Sequence, residues 1–158
     1  MKITLLSIGK TTQSWLLQGI KVYESRLPHY TSFEYIELPD VKLKQKKPDM
    51  QHVQQAEAEK ILKALNKEDH LILLDENGRS FSSMTFAKWI EKKQVSGIKN
   101  LVLLIGGPYG FHESVKQRSV GKVSLSEMTF SHQMVRLFAI EQIYRAMTIL
   151  KGEPYHHQ

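Results

Sequence analysis

Three stretches of this chain set out residue types that could carry chemistry. In LLIGGPYGFH, residues 103–112, an apolar run breaks into Gly106, Gly107 and Gly110. Glycine has no Cβ, so a ligand can come close to such a backbone. An ordinary strand-to-helix turn uses the same residues. In LSEMTFSHQMVR, residues 125–136, small polar residues offer backbone amides and carbonyls, and Leu125, Met128 and Phe130 could wall in a purine. Burial tendencies alone favour Met128 and Phe130 as plain core residues. In IEQIYRAMTILKGEPYHH, residues 140–157, Glu141 and Arg145 stand four apart on one helical face. That spacing makes either a surface ion pair contributing about 0.3 kcal/mol or an arginine held by a carboxylate for use on a phosphate or a developing anion.

Familiar nucleotide signatures fail on spacing. A P-loop needs Gly-Lys-Ser/Thr opening a helix, and here Phe111 and His112 follow Gly110. A dinucleotide fingerprint needs G-x-G-x-x-G, which Gly106, Gly107 and Gly110 do not supply, although Glu127 stands at the offset of a ribose-binding acid. No Ser/His/Asp or Cys/His nucleophile set stands out. His132 and His156 lack metal-ligand spacing, so no metal is expected. His29, His52, His70 and His157 read as solvent-facing or satisfied side chains.

The elements that must position these stretches follow from periodicity. Residues 2–9 read as a buried strand ending at Gly9, and residues 14–27 as a helix with Trp15, Leu16, Ile20, Tyr23 and Leu27 near one face. SFEYIEL reads as a second strand, and residues 50–65 as a helix with Val53, Ala56, Ile61 and Leu65 inward. HLILLD is a continuous apolar run of the kind found in a central parallel strand. Asn77-Gly78 reads as a turn, SSMTFAKWIEKK as a capped helix and NLVLLIGG as the strongest strand of the chain. A short helix near 112–118, a short strand at 122–125 and a last helix over 132–151 complete the pattern. Strands alternating with helices predict an α/β fold with a mainly parallel sheet flanked by helices. Ligands of such sheets sit beyond the carboxyl ends of the strands. That rule points to Leu74-Asp75, Gly106-Gly107 and the segment after Leu125.

The 158 residues fit one domain with one core. No apolar run approaches the roughly 20 residues that span a bilayer, and the N-terminus reads as a strand rather than a signal peptide. The absence of cysteine excludes disulfides and thiolate metal sites, which agrees with a cytoplasmic location. A formal net charge of +6 permits an anionic partner such as nucleic acid. Lys42, Lys44, Lys46 and Lys47 fall together between Pro39 and Pro48. They form either a solvated loop or a loop that meets phosphates.

Taken together, LLIGGPYG, LSEMTFSHQMVR, EQIYRA and the terminal PYH resemble the SPOUT superfamily of knotted methyltransferases. Within it they are most similar to the ribosomal RNA large subunit methyltransferase H family, which methylates N3 of a pseudouridine. The resemblance runs from KITLLSIGK to PYHH, essentially the whole chain. It implies a single SPOUT domain over 1–158, a C-terminal trefoil knot over about 101–150 and a functional tail over 152–158. Knots are otherwise rare. It also implies S-adenosyl-L-methionine as cofactor, held by Leu74, Gly106, Leu125, Ser126, Glu127, Met128, Thr129 and Phe130. A homodimer is implied, built largely on the last helix through Leu137, Phe138 and Tyr144, with the tail residues Tyr155 and His156 completing the partner's site. The family often has proline where this chain has Ser131. The substrate implied is 23S ribosomal RNA in the large subunit or the assembled ribosome.

On that resemblance the reaction is methyl transfer from a sulfonium to an imide nitrogen, where positioning supplies about 7–11 kcal/mol. Arg145, oriented by Glu141, is the candidate to stabilise the imide anion, and His156 to accept the proton beside Tyr155. Lys42, Lys44, Lys46, Lys47 and Arg136 are the expected RNA contacts. The competing readings are a non-enzymatic ribosome- or RNA-binding module and a dinucleotide-dependent oxidoreductase built on LLIGGPYG.

Overall fold

The computed structural model describes residues 1–41 and 49–156. The basic run 42–48 and the last two residues therefore lie outside the described residues. Five strands and five α-helices alternate along the chain. They are β1 (Lys2–Ile8), α1 (Ser14–Arg26), β2 (Ser32–Leu38), α2 (Met50–Ala64), β3 (His70–Ser80), α3 (Ser83–Val95), β4 (Asn100–Ile105), α4 (Glu113–Arg118), β5 (Gly121–Ser124) and α5 (Met134–Leu150). The strands form one parallel sheet in the order β2-β1-β4-β3-β5. Among the described residues no helix is long and apolar enough to cross a membrane.

The period-two alternation of strand side chains divides the core in two. Ile3, Leu5, Leu101 and Leu103 face α1, α3 and α5, where Ile20, Ile90, Ile140 and Ile143 close one apolar layer. Leu6, Ile8, Val102 and Leu104 face the other side, where Ala58 and Ile61 of α2 and Val115 of α4 close the second. Burial on both faces explains why β1 and β4 are nearly uninterrupted runs of Leu, Ile and Val. Two helices start at side-chain caps, the second of them expected from SSMTFAKWIEKK. The side chain of Asp49 accepts the amide of His52, and Ser82 accepts that of Thr85.

Some expectations are revised. Trp15 is 53% exposed, because α1 buries the stripe at Leu16 and Ile20 and Trp15 falls one position off it. Glu57 and Ala58 are buried on α2, while Val53, Ala56 and Leu65 are only partly covered. The expected Asn77-Gly78 turn lies inside β3. Leu74 and Arg79 both pair with Val123, so residues 75–78 bulge out of the ladder before pairing resumes. The Asp75 carboxylate accepts the Asn77 amide at 2.9 Å and shapes this bulge.

Gly78 closes the bulge against β5, and a Cβ there would stand 2.6 Å from backbone atoms of Val123. Backbone cannot rotate away as a side chain can. Gly78→Ala should therefore cost about 1–3 kcal/mol in urea unfolding. A variant as stable as the native protein would show that the bulge is not held this tightly.

Candidate cofactor and substrate site

A cavity of about 810 Å³ opens beyond the carboxyl ends of β3, β4 and β5. Residues 74–77, 105–111, 124–126 and 128–132 line it, with Gln54, Lys116, Lys122 and Val135. Its size suits a nucleoside-sized ligand. Leu74, Gly106, Leu125, Ser126, Met128, Thr129 and Phe130 all reach it. Glu127 is exposed and does not line it.

The three walls are built differently. The wall after β4 is a tight turn in which the Gly110 amide donates to the Gly107 carbonyl at 3.1 Å, with Gly110 at φ +74°. The neighbouring glycines are demanded by the protein's own packing. A Cβ on Gly106 would stand 2.9 Å from the Phe111 ring, and one on Gly107 would stand 2.6 Å from a carboxylate oxygen of Glu57. The Gln54 amide also holds this turn, donating to the Tyr109 carbonyl at 2.5 Å. The wall after β5 is shaped by serines. Ser124 donates to the Ser126 carbonyl at 2.8 Å, and the Met128 amide donates to the Ser126 hydroxyl at 2.9 Å. Ser131 accepts the Met134 amide at 3.1 Å, so its hydroxyl helps to start α5. The third wall, the β3 bulge, carries acid. Asp75 pairs with Lys122 at 3.3 Å, and Glu76 accepts from the Thr129 hydroxyl at 3.3 Å.

Met128 is 76% exposed, so it belongs to the cavity wall rather than the core. Phe130 packs on Phe138 of α5 with ring centroids 4.7 Å apart.

A second cluster gathers Glu141, Arg145, Tyr155 and His156. Arg145 donates to one carboxylate oxygen of Glu141 through Nη2 at 2.6 Å and Nε at 3.0 Å. The Tyr155 hydroxyl donates to the same oxygen at 3.2 Å. His156 Nδ1 lies 3.4 Å from Arg145 Nη1, and the Arg145 guanidinium stands 4.7 Å above the Tyr155 ring. Burial, the Tyr23 hydroxyl and the Glu141 charge all push the Tyr155 phenol upward, so it stays protonated. None of the four residues lines the cavity. On a helix rising about 1.5 Å per residue, Arg145 stands roughly 15 Å beyond Val135, the cavity's residue on α5. Tyr144, expected on a free face, is buried beside Tyr23, Tyr30 and Tyr155.

The family model described as "Predicted SPOUT methyltransferase" matches residues 1–156. The chain belongs to the SPOUT methyltransferases. Proteins called "Ribosomal RNA large subunit methyltransferase H" are similar to it along their whole length. The one from Cytophaga hutchinsonii is 52% identical over 99% of this chain and 100% of the relative. Those from Christiangramia forsetii and Parabacteroides distasonis are 52% and 51% identical over 100% of both chains. A SPOUT methyltransferase leaves no place for the oxidoreductase reading, which already lacked its glycine fingerprint.

Within this SPOUT chain, Arg136 departs from its expected place at an RNA surface. It is 1% exposed, and its guanidinium reaches main-chain carbonyls at the end of β1 and the carboxylate of Glu37. It has no surface to present to a phosphate. Glu37 feels burial, which pushes its carboxyl upward. The Thr11 hydroxyl and amide, the Tyr35 hydroxyl and the Arg136 charge outweigh it, so the carboxyl stays below its ordinary range.

Sequence reasoning missed Gln54, Glu57, Glu76 and Lys122. Asp75 stood at a strand end already singled out, and no role was assigned to it. Glu57 had a signal. It occupies the middle of the stripe Val53-Glu57-Ile61, an acid at a core position four residues from its neighbours.

Glu57 is 6% exposed, and burial followed by the Asp40 charge raises its carboxyl to about 6. A raised carboxyl makes the folded state the tighter proton binder. Stability therefore falls as pH rises from about 4.5 through about 6, and above that the penalty is at most about 2 kcal/mol. Glu57→Gln should be more stable than the native protein in urea at pH 7.5, with the gain gone at pH 4.5. A glutamine variant less stable at pH 7.5 would show the carboxylate to be partnered in solution.

Proposed function

We propose that this protein transfers a methyl group from S-adenosylmethionine to N3 of a pseudouridine in large-subunit ribosomal RNA. It does so as a homodimer whose tail serves the partner's cavity. The observation that carries the reading is the separation of two half-sites on one chain. One is a nucleoside-sized cavity, and the other an Arg-Glu-Tyr-His cluster roughly 15 Å further along α5. A second copy can supply to each what its own chain does not. Exposed apolar side chains on α1 and α5 suit contact with a twin. Phe138 is 38% exposed and Trp15 is 53% exposed. Full-length similarity to proteins named for large-subunit ribosomal RNA methylation supplies the substrate class.

The cavity's chemistry fits the cofactor. Leu74, Gly106, Leu125, Ser126, Met128, Thr129 and Phe130 would hold its nucleoside, and Asp75 and Glu76 bring negative charge to the wall facing a cationic donor. When bound, S-adenosylmethionine supplies an electrophilic methyl carbon on a sulfonium. A C-terminal trefoil knot is part of the proposal. It is supported by the path after β5, which leaves one edge of the sheet and returns to the end of β1, across the ends of β3 and β4.

The chain's own residues handle the base. Glu141 and Tyr155 fix the guanidinium of Arg145, so its remaining donors can stabilise negative charge on the base oxygens as the imide proton departs. His156, held beside the Arg145 guanidinium, accepts that proton. Lys42, Lys44, Lys46 and Lys47, outside the described residues, supply phosphate contacts that weaken with salt.

Mass spectrometry of ribosomal RNA from cells lacking the protein should show one pseudouridine without its methyl group. An unchanged modification pattern would reject the substrate. Arg145→Ala should lower kcat roughly 100- to 1000-fold while calorimetry shows the same cofactor affinity. Heterodimers of an Arg145→Ala subunit with a subunit blocked at the cavity should recover about half of one native dimer's activity. If both kinds of homodimer are inactive and the mixture is too, the tail does not act across subunits.

A further inference from the structure

The strongest unused feature is Arg136. It is charged and 1% exposed, and it is satisfied on every side. Nε donates to the His132 carbonyl at 3.0 Å, and Nη2 to the Ile8 carbonyl at 2.7 Å. Nη1 is shared among the Gly9 carbonyl at 3.0 Å, the Thr11 hydroxyl at 3.0 Å and Glu37 Oε1 at 3.2 Å. Thr11 in turn donates to Glu37 through its hydroxyl and its amide, and Tyr35 donates to the same carboxylate. One guanidinium thus joins the carboxyl ends of β1 and β2 to the first turn of α5.

We infer that Arg136 is a positioning residue for the cofactor: it fixes the far end of the 125–132 wall against β1, so that the wall is already shaped when the ligand arrives. The inference rests on the S-adenosylmethionine reading and adds a residue that lies outside the cavity.

Three observations support a role beyond holding the helix. First, α5 is already secured by Ala139, Ile140, Ile143 and Met147, all buried against the sheet and helices. A buried ion pair is a poor source of net stability, and an apolar side chain of similar volume often replaces one without loss. What the charged network adds is a single defined position. Second, the residue one turn earlier does the same work. The Gln133 side chain donates to the Lys10 carbonyl at 3.0 Å and accepts the Thr12 amide at 3.0 Å. Two neighbouring side chains thus clamp one crossing.

Third, the wall has few other ties. Its start is held through Ser124 and Ser126. Between there and His132, Thr129 makes a bond to Glu76 at 3.3 Å, Met128 is 76% exposed, and Phe130 and Ser131 tie the wall to α5, the helix whose first turn Arg136 fixes. Released at its far end, the wall would sample several shapes. Affinity then drops by the fraction of time spent in the competent one.

The test uses the full-length protein. In Arg136→Met, the far end is free while the volume is largely kept. The dissociation constant for S-adenosylmethionine, read by calorimetry, should rise about tenfold, and the cofactor's KM should rise with it, the loss falling on KM rather than kcat. Backbone amides of residues 127–131 should exchange faster, while unfolding stays cooperative. Arg136→Lys should recover part of the affinity, because lysine reaches one or two carbonyls without the fork. If Arg136→Met does not fold, Thr11→Val and Glu37→Gln loosen the same clamp with the arginine in place, and each should weaken cofactor binding about threefold. Native affinity in the folded variants, whatever their stability, would overturn the inference. Failure of the native protein itself to bind S-adenosylmethionine would overturn the functional reading, and this one with it.

Discussion

A buried guanidinium ties the first turn of α5 to the ends of β1 and β2, beside the apolar face of α5 and the Gln133 contacts. Arg136 satisfies its charge on carbonyls of Ile8, Gly9 and His132 and on Glu37, residues brought together from three parts of the chain. A charge of this kind is costly to bury without partners and tolerable with all of them. The arrangement is therefore close to all-or-none. With the clamp closed, the segment after β5 must cross the ends of β3 and β4 to reach β1, and that crossing is the roof of the cavity.

The remaining walls obey the same logic of close contact. Gly106 and Gly107 are glycines because Phe111 and the Glu57 carboxylate occupy the space a Cβ would need. The β3 bulge turns Asp75, Glu76 and Asn77 out of the ladder and into the cavity, and Gly78 lets the chain regain its partner. Rigid backbone at the ends of buried strands is a good place for a ligand, since the sheet has already met the entropy cost of ordering it. Acid on the bulge and base on Lys116 and Lys122 leave the cavity mixed in charge.

The Arg145 cluster is organised around one oxygen. Glu141 Oε1 receives Arg145 twice and Tyr155 once, and Tyr155 lies against the guanidinium face. The tail beyond α5, as far as His156, is thereby packed against its own chain. A short, mostly exposed terminus would otherwise fray. The cluster and the cavity share α5 but not a lining, since none of the cluster's four residues reaches the cavity.

Much of this was legible in the residues. Two-sided burial writes strands as continuous apolar runs, so HLILLD and NLVLLIGG were visible, and SSMTFAKWIEKK showed its cap. Glu141 and Arg145 could be paired because a helix puts residues four apart on one face. The wall residues Leu125, Ser126 and Thr129 came from strand-end position and family likeness. Other features were decided only by long-range packing. Arg136 looks like a surface base until β1 and β2 place carbonyls and Glu37 around it. Asn77-Gly78 looks like a turn until β5 offers a partner on the far side. Glu57 shows its raised carboxyl only when Gly107 and Asp40 close over it. Local pattern is set by chain geometry within a few residues, and the sequence carries it openly. Burial of the Arg136 charge joins groups 127 residues apart, and the β3 bulge needs a partner on another strand, so both exist only in the folded chain.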